Sequence, residues 1–224
     1  MKQSGGSDEQ KRRAGEAAAD EAADGMVVGL GTGSTAAHAI RALGERDVEV
    51  RGVPTSFESR QRAVDAGIPL TSLDETSVDL AIDGADQVAG GDLVKGGGAA
   101  HAREKYVDAS ADRFVVVADP SKEVGALDAP VPVAVLPDAG PVVAGRVRDL
   151  GGEPTLRDAE RKDGPVVTDD GSLVLDCDFG AVEAPGTLAA ALSEIPGVVE
   201  HGLFVDLADA VYVGTSDGVR ATEL

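Results

Sequence analysis

The chain has 224 residues, 42% of them hydrophobic, which suits one large globular domain or two modest ones. Forty acidic residues against twenty basic ones give a net charge of −20, which disfavours nucleic acid and anionic membranes as partners. No apolar run reaches the ~18 residues of a membrane span, the polar N-terminus does not resemble a secretory signal, and the single Cys177 excludes an internal disulfide. We therefore expect a cytoplasmic protein that binds neither nucleic acid nor membrane.

The acidic residues are scattered along the chain rather than gathered in one tail. The simple interpretation is a solvated surface that repels itself. The sharper hypothesis is adaptation to a salt-rich (halophilic) cytoplasm, where counterions screen that repulsion.

The first half of the chain alternates helical patterns with short apolar runs. After a polar stretch, residues 1–13, that we expect to fray, the helical patterns are RRAGEAAADEAA, AAHAIRAL, FESRQRAVDAG and AAHAREKYVDAS. The strand patterns are MVVGL, VEVRGVPTS, IPLTSL, VDLAIDGAD and RFVVVAD. This alternation predicts a mostly parallel sheet covered by helices on both faces, with ligands bound beyond the carboxyl ends of its strands. Four of those ends are polar or small: GTGST, PTS, DGAD and ADPSK.

The pattern changes after Pro130. The segments VPVAVL, PVVAGRVRDLGG, EPTLRDA with GPVVTDDG, SLVLDC, TLAAALSEIPG and VVEHGLFV follow the β-α-β-β-α-β order of a split ferredoxin-like unit. The terminal DAVYVGTSDGVRATEL then returns to the first sheet. We predict an α/β protein with a Rossmann-like domain (residues 1–130 with 205–224) and a ferredoxin-like α/β subdomain (131–204).

The segment GLGTGSTAAHAI places a glycine-rich turn between a strand and a helix, a geometry that favours anions. It is not a P-loop, because no Gly-Lys-Ser/Thr follows, and Ser34 stands where a dinucleotide fingerprint requires glycine. Backbone amides and hydroxyls from Gly31 to Thr35 would suit one phosphate or a polyol. The alternative is a tight turn in which Ser34 or Thr35 caps the helix.

The segment DLAIDGADQV ends an apolar strand with two carboxylates, Asp83 and Asp86, around Gly84 and Ala85. Such groups exchange protons with a hydroxylated ligand or hold a metal. No convincing set of further metal ligands accompanies them. An Asx-turn at the strand end is the alternative.

The segment LVKGGGAAHAREKYV places Lys95 before three consecutive glycines and a helix. The lysine can neutralise negative charge, and the glycine amides can form a concave site for an anion. Helical spacing puts Glu104 on a partly apolar face, as a general base requires. The alternative is an ordinary surface glutamate flanked by Arg103 and Lys105.

In order and spacing, GTGSTAAH, GVPTS, IDGAD, KGGGAA…REK and VVVADPSK resemble the ribose-5-phosphate isomerases of the A type. The resemblance extends to IPGVVEHGLF and the terminal VGTSDGV, and so spans nearly the whole chain. It implies interconversion of D-ribose 5-phosphate and D-ribulose 5-phosphate in pentose phosphate metabolism, without a cofactor or metal. It also implies a Rossmann-like main domain and a homodimer or homotetramer.

The resemblance also assigns roles to residues of this chain. Glu104 is the proton-abstracting base, Lys95 stabilises the enediolate, and Asp83 assists ring opening and proton movement between O1 and O2. The substrate-binding set is Thr32, Gly33, Ser34, Thr35, Asp83, Gly84, Ala85, Asp86, Lys95, Gly96, Gly97, Gly98 and Lys122.

The chain departs from the family in its longer polar N-terminus, its acidic surface and His101. His101 lies one turn before Glu104 and either tunes that residue or is a tolerated substitution. His38 and His201 fit packing or surface positions better than ligand positions.

Three rival functions remain. An aminosugar-phosphate isomerase/deaminase on the same scaffold would release ammonia from glucosamine 6-phosphate. A sugar-phosphate sensor would bind without turnover. A dinucleotide-binding oxidoreductase ranks last, because the fingerprint is broken at Ser34.

Overall fold

A computed structural model describes residues 6–224 and divides them into two compact units. The first unit comprises residues 6–85, 103–123 and 206–224, and the second comprises 86–102 and 124–205. The second unit thus contains residues 86–102 and 124–130, which the sequence analysis placed in the other domain. The predicted boundaries at 130 and 204 stay a prediction.

The helices, in chain order, are α1 (Asp8–Ala19), α2 (Ser34–Glu45), α3 (Phe57–Asp65), α4 (His101–Ala109), α5 (Gly140–Asp149) and α6 (Pro185–Ser193). The strands are β1 (Val27–Leu30), β2 (Arg51–Pro54), β3 (Val78–Gly84), β4 (Gln87–Ala89), β5 (Asp92–Val94), β6 (Ala111–Ala118), β7 (Val131–Val135), β8 (Glu153–Leu156), β9 (Leu173–Asp178), β10 (Val198–His201), β11 (Leu203–Phe204), β12 (Ala210–Gly214) and β13 (Val219–Glu223). Among the described helices, none has the length and apolar character needed to span a bilayer.

The first unit is built on a six-stranded sheet in the order β13-β12-β6-β3-β1-β2. Its strands are parallel except β13, which returns antiparallel at the edge. Successive strand residues face opposite sides. Val28 therefore packs in the core that α1 and α2 cover, whereas Val27 packs with Val107 of α4 on the other side. The predicted parallel sheet with helices on both faces is confirmed.

The second unit contains an antiparallel sheet in the order β10-β7-β9-β8. The chain order β7-α5-β8-β9-α6-β10 with this strand order is the split ferredoxin-like arrangement that the sequence predicts. Its core is aliphatic and includes Val133, Val143, Leu175 and Leu192. A small sheet, β11-β5-β4, belongs to the same unit.

Local sequence explains where α1 begins. Ser7 accepts a hydrogen bond from the amide of Gln10, and the Gln10 side chain accepts one from the amide of Ser7, a reciprocal capping box. The expectation that residues 1–13 fray is therefore wrong from Ser7 onward, and residues 1–5 of that stretch lie outside the described residues.

Three predicted strands differ in the structure. IPLTSL forms only one bridge, from Leu70 to Gly52, and GPVVTDDG forms only isolated bridges at Pro165 and Val167. VVEHGLFV divides at Gly202 into β10 and β11, which belong to different sheets. At the division the chain passes close to Lys95, since a Cβ added at Gly202 would lie 2.2 Å from the Lys95 carbonyl oxygen.

Candidate active site

The carboxyl ends of β1 and β3 bring two predicted motifs together in the first unit. The strands pair in parallel, so the turn after Leu30 lies beside the end of β3. Asp83 is fully buried, and its Oδ1 accepts hydrogen bonds from the amides of Thr32 at 2.9 Å and Gly84 at 2.7 Å. The DGAD and GTGST segments are thus joined by hydrogen bonds. Ala85 is the residue at which this segment of the first unit ends.

A third strand end joins them. Thr32 Oγ1 donates to Ser56 Oγ at 2.8 Å and lies 3.0 Å from Thr55 Oγ1. These two residues follow β2, within the GVPTS segment. Sequence reasoning noted this polar strand end but did not include it among the site residues. Its signal was the run of small hydroxyl residues directly after an apolar strand.

The first turn of α2 is not capped by a side chain. Gly33 is its N-cap at φ +116°, a conformation that favours glycine, and no side chain caps the helix. The alternative in which Ser34 or Thr35 acts as N-cap is therefore wrong. Ser34 is exposed, and Thr35 is 9% exposed. The backbone amides of this first turn form the positive end of the helix dipole, which favours a bound anion.

Glu104 lies in the first turn of α4 and is only 4% exposed. Val107, one turn further, packs closely on Gly29 of β1, where an added Cβ would lie 2.9 Å from Val107 Cγ1. Because α4 leads directly into β6, its amino end points towards the carboxyl edge of the sheet. Glu104 therefore lies at the same edge as Asp83, and its burial shows that the alternative of an ordinary surface glutamate is wrong.

Lys122 follows β6 at this edge. It ends a short 3-10 helix, Pro120–Lys122, that Asp119 caps through hydrogen bonds from the amide and hydroxyl of Ser121 at 2.9 and 2.6 Å. Because β6 pairs in parallel with β3, Lys122 is carried at the same sheet edge as Asp83.

The second unit holds Asp86 and the glycine turn (Gly96, Gly97 and Gly98). Asp86 Oδ2 accepts a hydrogen bond from the Gly97 amide at 2.7 Å. A Cβ at Gly97 would lie 2.7 Å from Asp86 Oδ1, so only glycine allows this approach. Gly96 has φ +105°, and Gly98 is exposed at the tip of the turn.

Lys95 is 2% exposed, an unusual position for lysine. Its amide donates to the Gly202 carbonyl oxygen at 2.8 Å, and its Nζ lies 5.3 Å from the centre of the Phe204 ring. The aromatic face favours the ammonium group electrostatically. Lys95, Asp86 and the glycine turn are thus brought together in the second unit, as Asp83, Glu104, Lys122 and the GTGST turn are in the first.

The histidines occupy packing positions. His101 is 1% exposed, and its Nδ1 lies 2.7 Å from where a Cβ on Gly96 would be placed. His38 Nε2 pairs with Asp8 at 3.0 Å, and His201 Nε2 pairs with Ser193 Oγ at 3.1 Å. Within residues 6–224, no group of three or more His, Cys, Asp or Glu side chains is arranged to hold a metal ion.

The chain is similar to a known protein family over most of its length. The family described as ribose 5-phosphate isomerase A (phosphoriboisomerase A) matches residues 51–218. A protein of Halobacterium salinarum named ribose-5-phosphate isomerase A is 75% identical over the full length of both chains.

Two solved structures are similar throughout. The structure of ribose 5-phosphate isomerase A from Methanocaldococcus jannaschii has a TM-score of 0.93 at 44% identity, covering 96% of this chain and 98% of that one. A D-ribose-5-phosphate isomerase in complex with phospho-erythronic acid has a TM-score of 0.95 at 39% identity, covering 98% and 100%. The resemblance read from the motifs is thereby confirmed, and the chain belongs to the ribose 5-phosphate isomerase A family.

Proposed function

We propose that this protein interconverts D-ribose 5-phosphate and D-ribulose 5-phosphate through an enediolate, in the non-oxidative part of pentose phosphate metabolism. Family membership and the names of the relatives support the reaction. The structural observation that carries the proposal is Glu104, a carboxylate only 4% exposed in the first turn of α4, the end of the helix at the sheet edge where Asp83 lies. A base removed from bulk water is what abstraction of a carbon-bound proton requires.

The chemistry moves one proton between neighbouring carbons. Glu104 removes the C2 proton of the open-chain aldose, and the electron pair forms the C1–C2 double bond of the enediolate. The protonated Glu104 then delivers the proton to C1, while O2 becomes the carbonyl oxygen of the ketose. Atoms and electrons balance without an oxidant or reductant, so the reaction needs no redox cofactor. A metal is not needed either, because Lys95 and the backbone amides supply the electrostatic stabilisation that a metal could otherwise provide.

The enediolate carries negative charge that must be stabilised as it develops. Lys95 and the amides of the glycine turn supply that stabilisation, in the manner of an oxyanion hole. Asp83 assists opening of the furanose ring and movement of the proton between O1 and O2. Asp86, which orients the Gly97 amide, helps to hold the sugar.

The remaining predicted residues bind the rest of the substrate. The hydroxyls and amides of Thr32, Gly33, Ser34 and Thr35 and the ammonium of Lys122 suit a phosphate or a polyol. Gly84, Ala85 and Gly98 allow the sugar to approach the backbone. The complex of the similar isomerase with phospho-erythronic acid supports a phosphorylated sugar acid as a binding probe, because its planar carboxylate resembles an enediolate.

The protein acts in the cytoplasm as a homodimer or homotetramer, with neither nucleic acid nor membrane as a partner. The net charge of −20 supports the last two statements, because it repels both kinds of polyanion. Sedimentation of the purified protein in strong KCl tests the assembly, and a monomer would contradict it.

The test is an assay of ribulose 5-phosphate formation from ribose 5-phosphate in strong KCl with EDTA. Wild-type protein should turn over, and Glu104→Gln should lower kcat by about 10²–10⁴-fold, the usual contribution of a general base. Glu45→Gln is the matched control, because Glu45 is an exposed glutamate at the end of α2.

The outcomes separate the rival functions. Near-normal activity of Glu104→Gln would refute the assignment of the base. Loss of wild-type turnover in EDTA would refute metal independence. Binding of ribose 5-phosphate without turnover would identify a sensor, and ammonia release from glucosamine 6-phosphate would identify the deaminase.

A further inference from the structure

One arginine, far away in sequence, contacts the backbone of the glycine turn within the second unit. Arg157, which directly follows β8, donates from Nη1 to the Gly96 carbonyl oxygen at 2.8 Å and lies 3.5 Å from that of Gly97. Its side chain is 15% exposed, so the contact is largely shielded from water. The sequence motifs gave no indication of this contact.

The guanidinium is itself held in place. Its Nε donates to Asp176 Oδ2 at 2.9 Å and its Nη2 donates to Asp176 Oδ1, which makes the pair bidentate. Asp176 lies on β9, and the Arg157 amide donates to the Val174 carbonyl oxygen on the same strand. One edge of the guanidinium therefore binds the carboxylate while Nη1 reaches the turn, an arrangement that the single ammonium of lysine cannot reproduce.

The contact fixes the orientation of one peptide group. The Gly96 carbonyl oxygen accepts from Arg157 and also from the Ala99 amide at 2.9 Å. On the opposite side of the same trans peptide, the Gly97 amide donates to Asp86 Oδ2 at 2.7 Å. Rotation of this peptide would break the bonds to Arg157 and Asp86 together.

The turn needs such support because its backbone is strained. Gly96 has φ +105°, and Ala99 has φ +59°, in the left-handed region that non-glycine residues rarely occupy. A conformation of this kind persists only where its surroundings over-determine it. Arg157 and Asp176 supply part of those surroundings.

We propose that Arg157, oriented by Asp176, is a positioning residue for the isomerisation. It holds the Gly96–Gly97 peptide so that Asp86 and the amides of the glycine turn stay where the enediolate charge develops. This inference rests on the proposed function, and it gives the ferredoxin-like subdomain a part in the chemistry.

The experiment compares wild type, Arg157→Lys, Arg157→Ala and Asp176→Asn in the ribose 5-phosphate assay in strong KCl. Arg146→Lys is the matched control, because Arg146 lies in the same unit with its side chain 65% exposed. A misplacement of about 1 Å costs up to about 10²-fold in rate. We expect Arg157→Lys to lower kcat by about 10- to 100-fold, to change KM less than about threefold and to weaken phospho-erythronic acid binding about tenfold or more. Arg146→Lys should match wild type.

Chemical rescue distinguishes positioning from a general effect on folding. Guanidinium chloride at a concentration of tens of millimolar, too low to unfold the protein, should restore at least part of the kcat of Arg157→Ala. Tetramethylammonium chloride at the same concentration has the charge but no hydrogen-bond donors, and it should restore nothing.

An active wild type with wild-type kcat in Arg157→Lys and Arg157→Ala would overturn the inference and leave the proposed function standing. Loss of activity in Arg157→Ala that follows loss of folded protein, with no recovery in guanidinium, would also overturn it. A folded wild type with no isomerase activity would overturn both.

Discussion

Gly31 leaves no room for a methyl group beside Asp83. An ideal Cβ on Gly31 would lie 2.1 Å from Asp83 Oδ1, the oxygen that accepts from the amides of Thr32 and Gly84. The carboxylate is fully buried, so it cannot move into solvent to avoid the contact. The first glycine of the GTGST turn thus determines where the carboxylate lies.

Gly31→Ala should therefore displace Asp83 and lower kcat for ribose 5-phosphate by about 10- to 100-fold while the fold persists. The measurement is kcat together with the circular dichroism spectrum. Gly218→Ala is the control, because an added Cβ there meets no atom within 4 Å. Equal activity of the two variants would show that Asp83 tolerates displacement.

Site residues were predictable where a motif gives both residue type and backbone geometry. The strand-turn-helix pattern around GTGST predicts that this turn lies at the sheet edge, and the apolar strand before Asp83 predicts the same for that carboxylate. Arg157 was not predictable in this way, because its contact with Gly96 spans 61 residues and the subdomain sequence alone does not encode it. The roles proposed for Glu104 and Lys95 stay predictions.

At the scale of elements, two glycines inside helices have opposite surroundings. Gly15 of α1 lies against α2, where a Cβ would be 2.7 Å from the Ala39 amide nitrogen and 2.9 Å from His38 Cβ. Gly145 of α5 has no atom within 4 Å of its Cβ position. Helix propensity favours alanine at both positions, but steric fit favours it only at Gly145.

Gly15→Ala should lower the free energy of unfolding by about 1–3 kcal/mol, because overpacking outweighs the gain in propensity. Gly145→Ala should raise it by about 0.5–1 kcal/mol. Urea unfolding at one fixed KCl concentration measures both, and each variant serves as the control for the other. Destabilisation by both would contradict the account of open space at Gly145.

An ion-pair cluster joins β6, β13 and the turn that follows α1 in the first unit. Arg113 donates to Glu21 at 2.6 Å and to Glu223 at 2.8 Å, and Tyr212 also donates to Glu21. Burial raises the pKa of Glu21, but the hydrogen bonds from Arg113 and Tyr212 outweigh it, so its pKa lies below the usual value. Hydrogen bonding to Arg113 lowers the pKa of Glu223 as well.

Both carboxyls have a folded-state pKa below the unfolded value of about 4.5. Their contribution to stability is therefore present above pH 4.5 and is lost as pH falls through the folded pKa. Arg113→Met should lower Tm by about 2–4 °C at pH 7, and the difference from wild type should shrink below pH 4.5. Arg41→Met, at an exposed position, is the control. A difference that does not change between pH 7 and pH 3 would contradict the prediction.

Helices and strands with a clear hydrophobic period were predictable from the sequence, whereas very short strands were not. The β4–β5 hairpin was missed because each strand has three residues, and Gly90-Gly91 was its only turn signal. IPLTSL reads as a strand, yet it forms only a single bridge to β2, between Leu70 and Gly52. The division of VVEHGLFV at Gly202 depends on the approach of Lys95, a tertiary contact that local sequence does not report.

At the scale of the whole molecule, the net charge is the feature that most affects the stability of the folded state. A net charge of −20 on 224 residues opposes the compact state unless counterions screen it. The similarity to the protein of Halobacterium salinarum supports the hypothesis of adaptation to salt. The fold class was predictable at this scale because alternation of strands and helices constrains topology strongly.

Tm should therefore rise as KCl increases from low to multimolar concentration. The rise should be steepest below about 1 M, where the Debye length shortens to about 3 Å. A thermal melt followed by circular dichroism at several KCl concentrations measures this. A Tm that falls over that range would refute the adaptation.

Cys177 is the chain's only thiol, and it lies on β9, fully buried in the core of the second unit. Burial raises its pKa to about 12, so the native thiol reacts slowly with disulfide reagents. The rate at which a disulfide reagent labels Cys177 therefore reports how often the second unit opens, without any engineered probe. Comparison of this labelling rate with the hydrogen-exchange rates of amides on β1 and β3 can reveal whether the two units open in one cooperative event or as separate foldons.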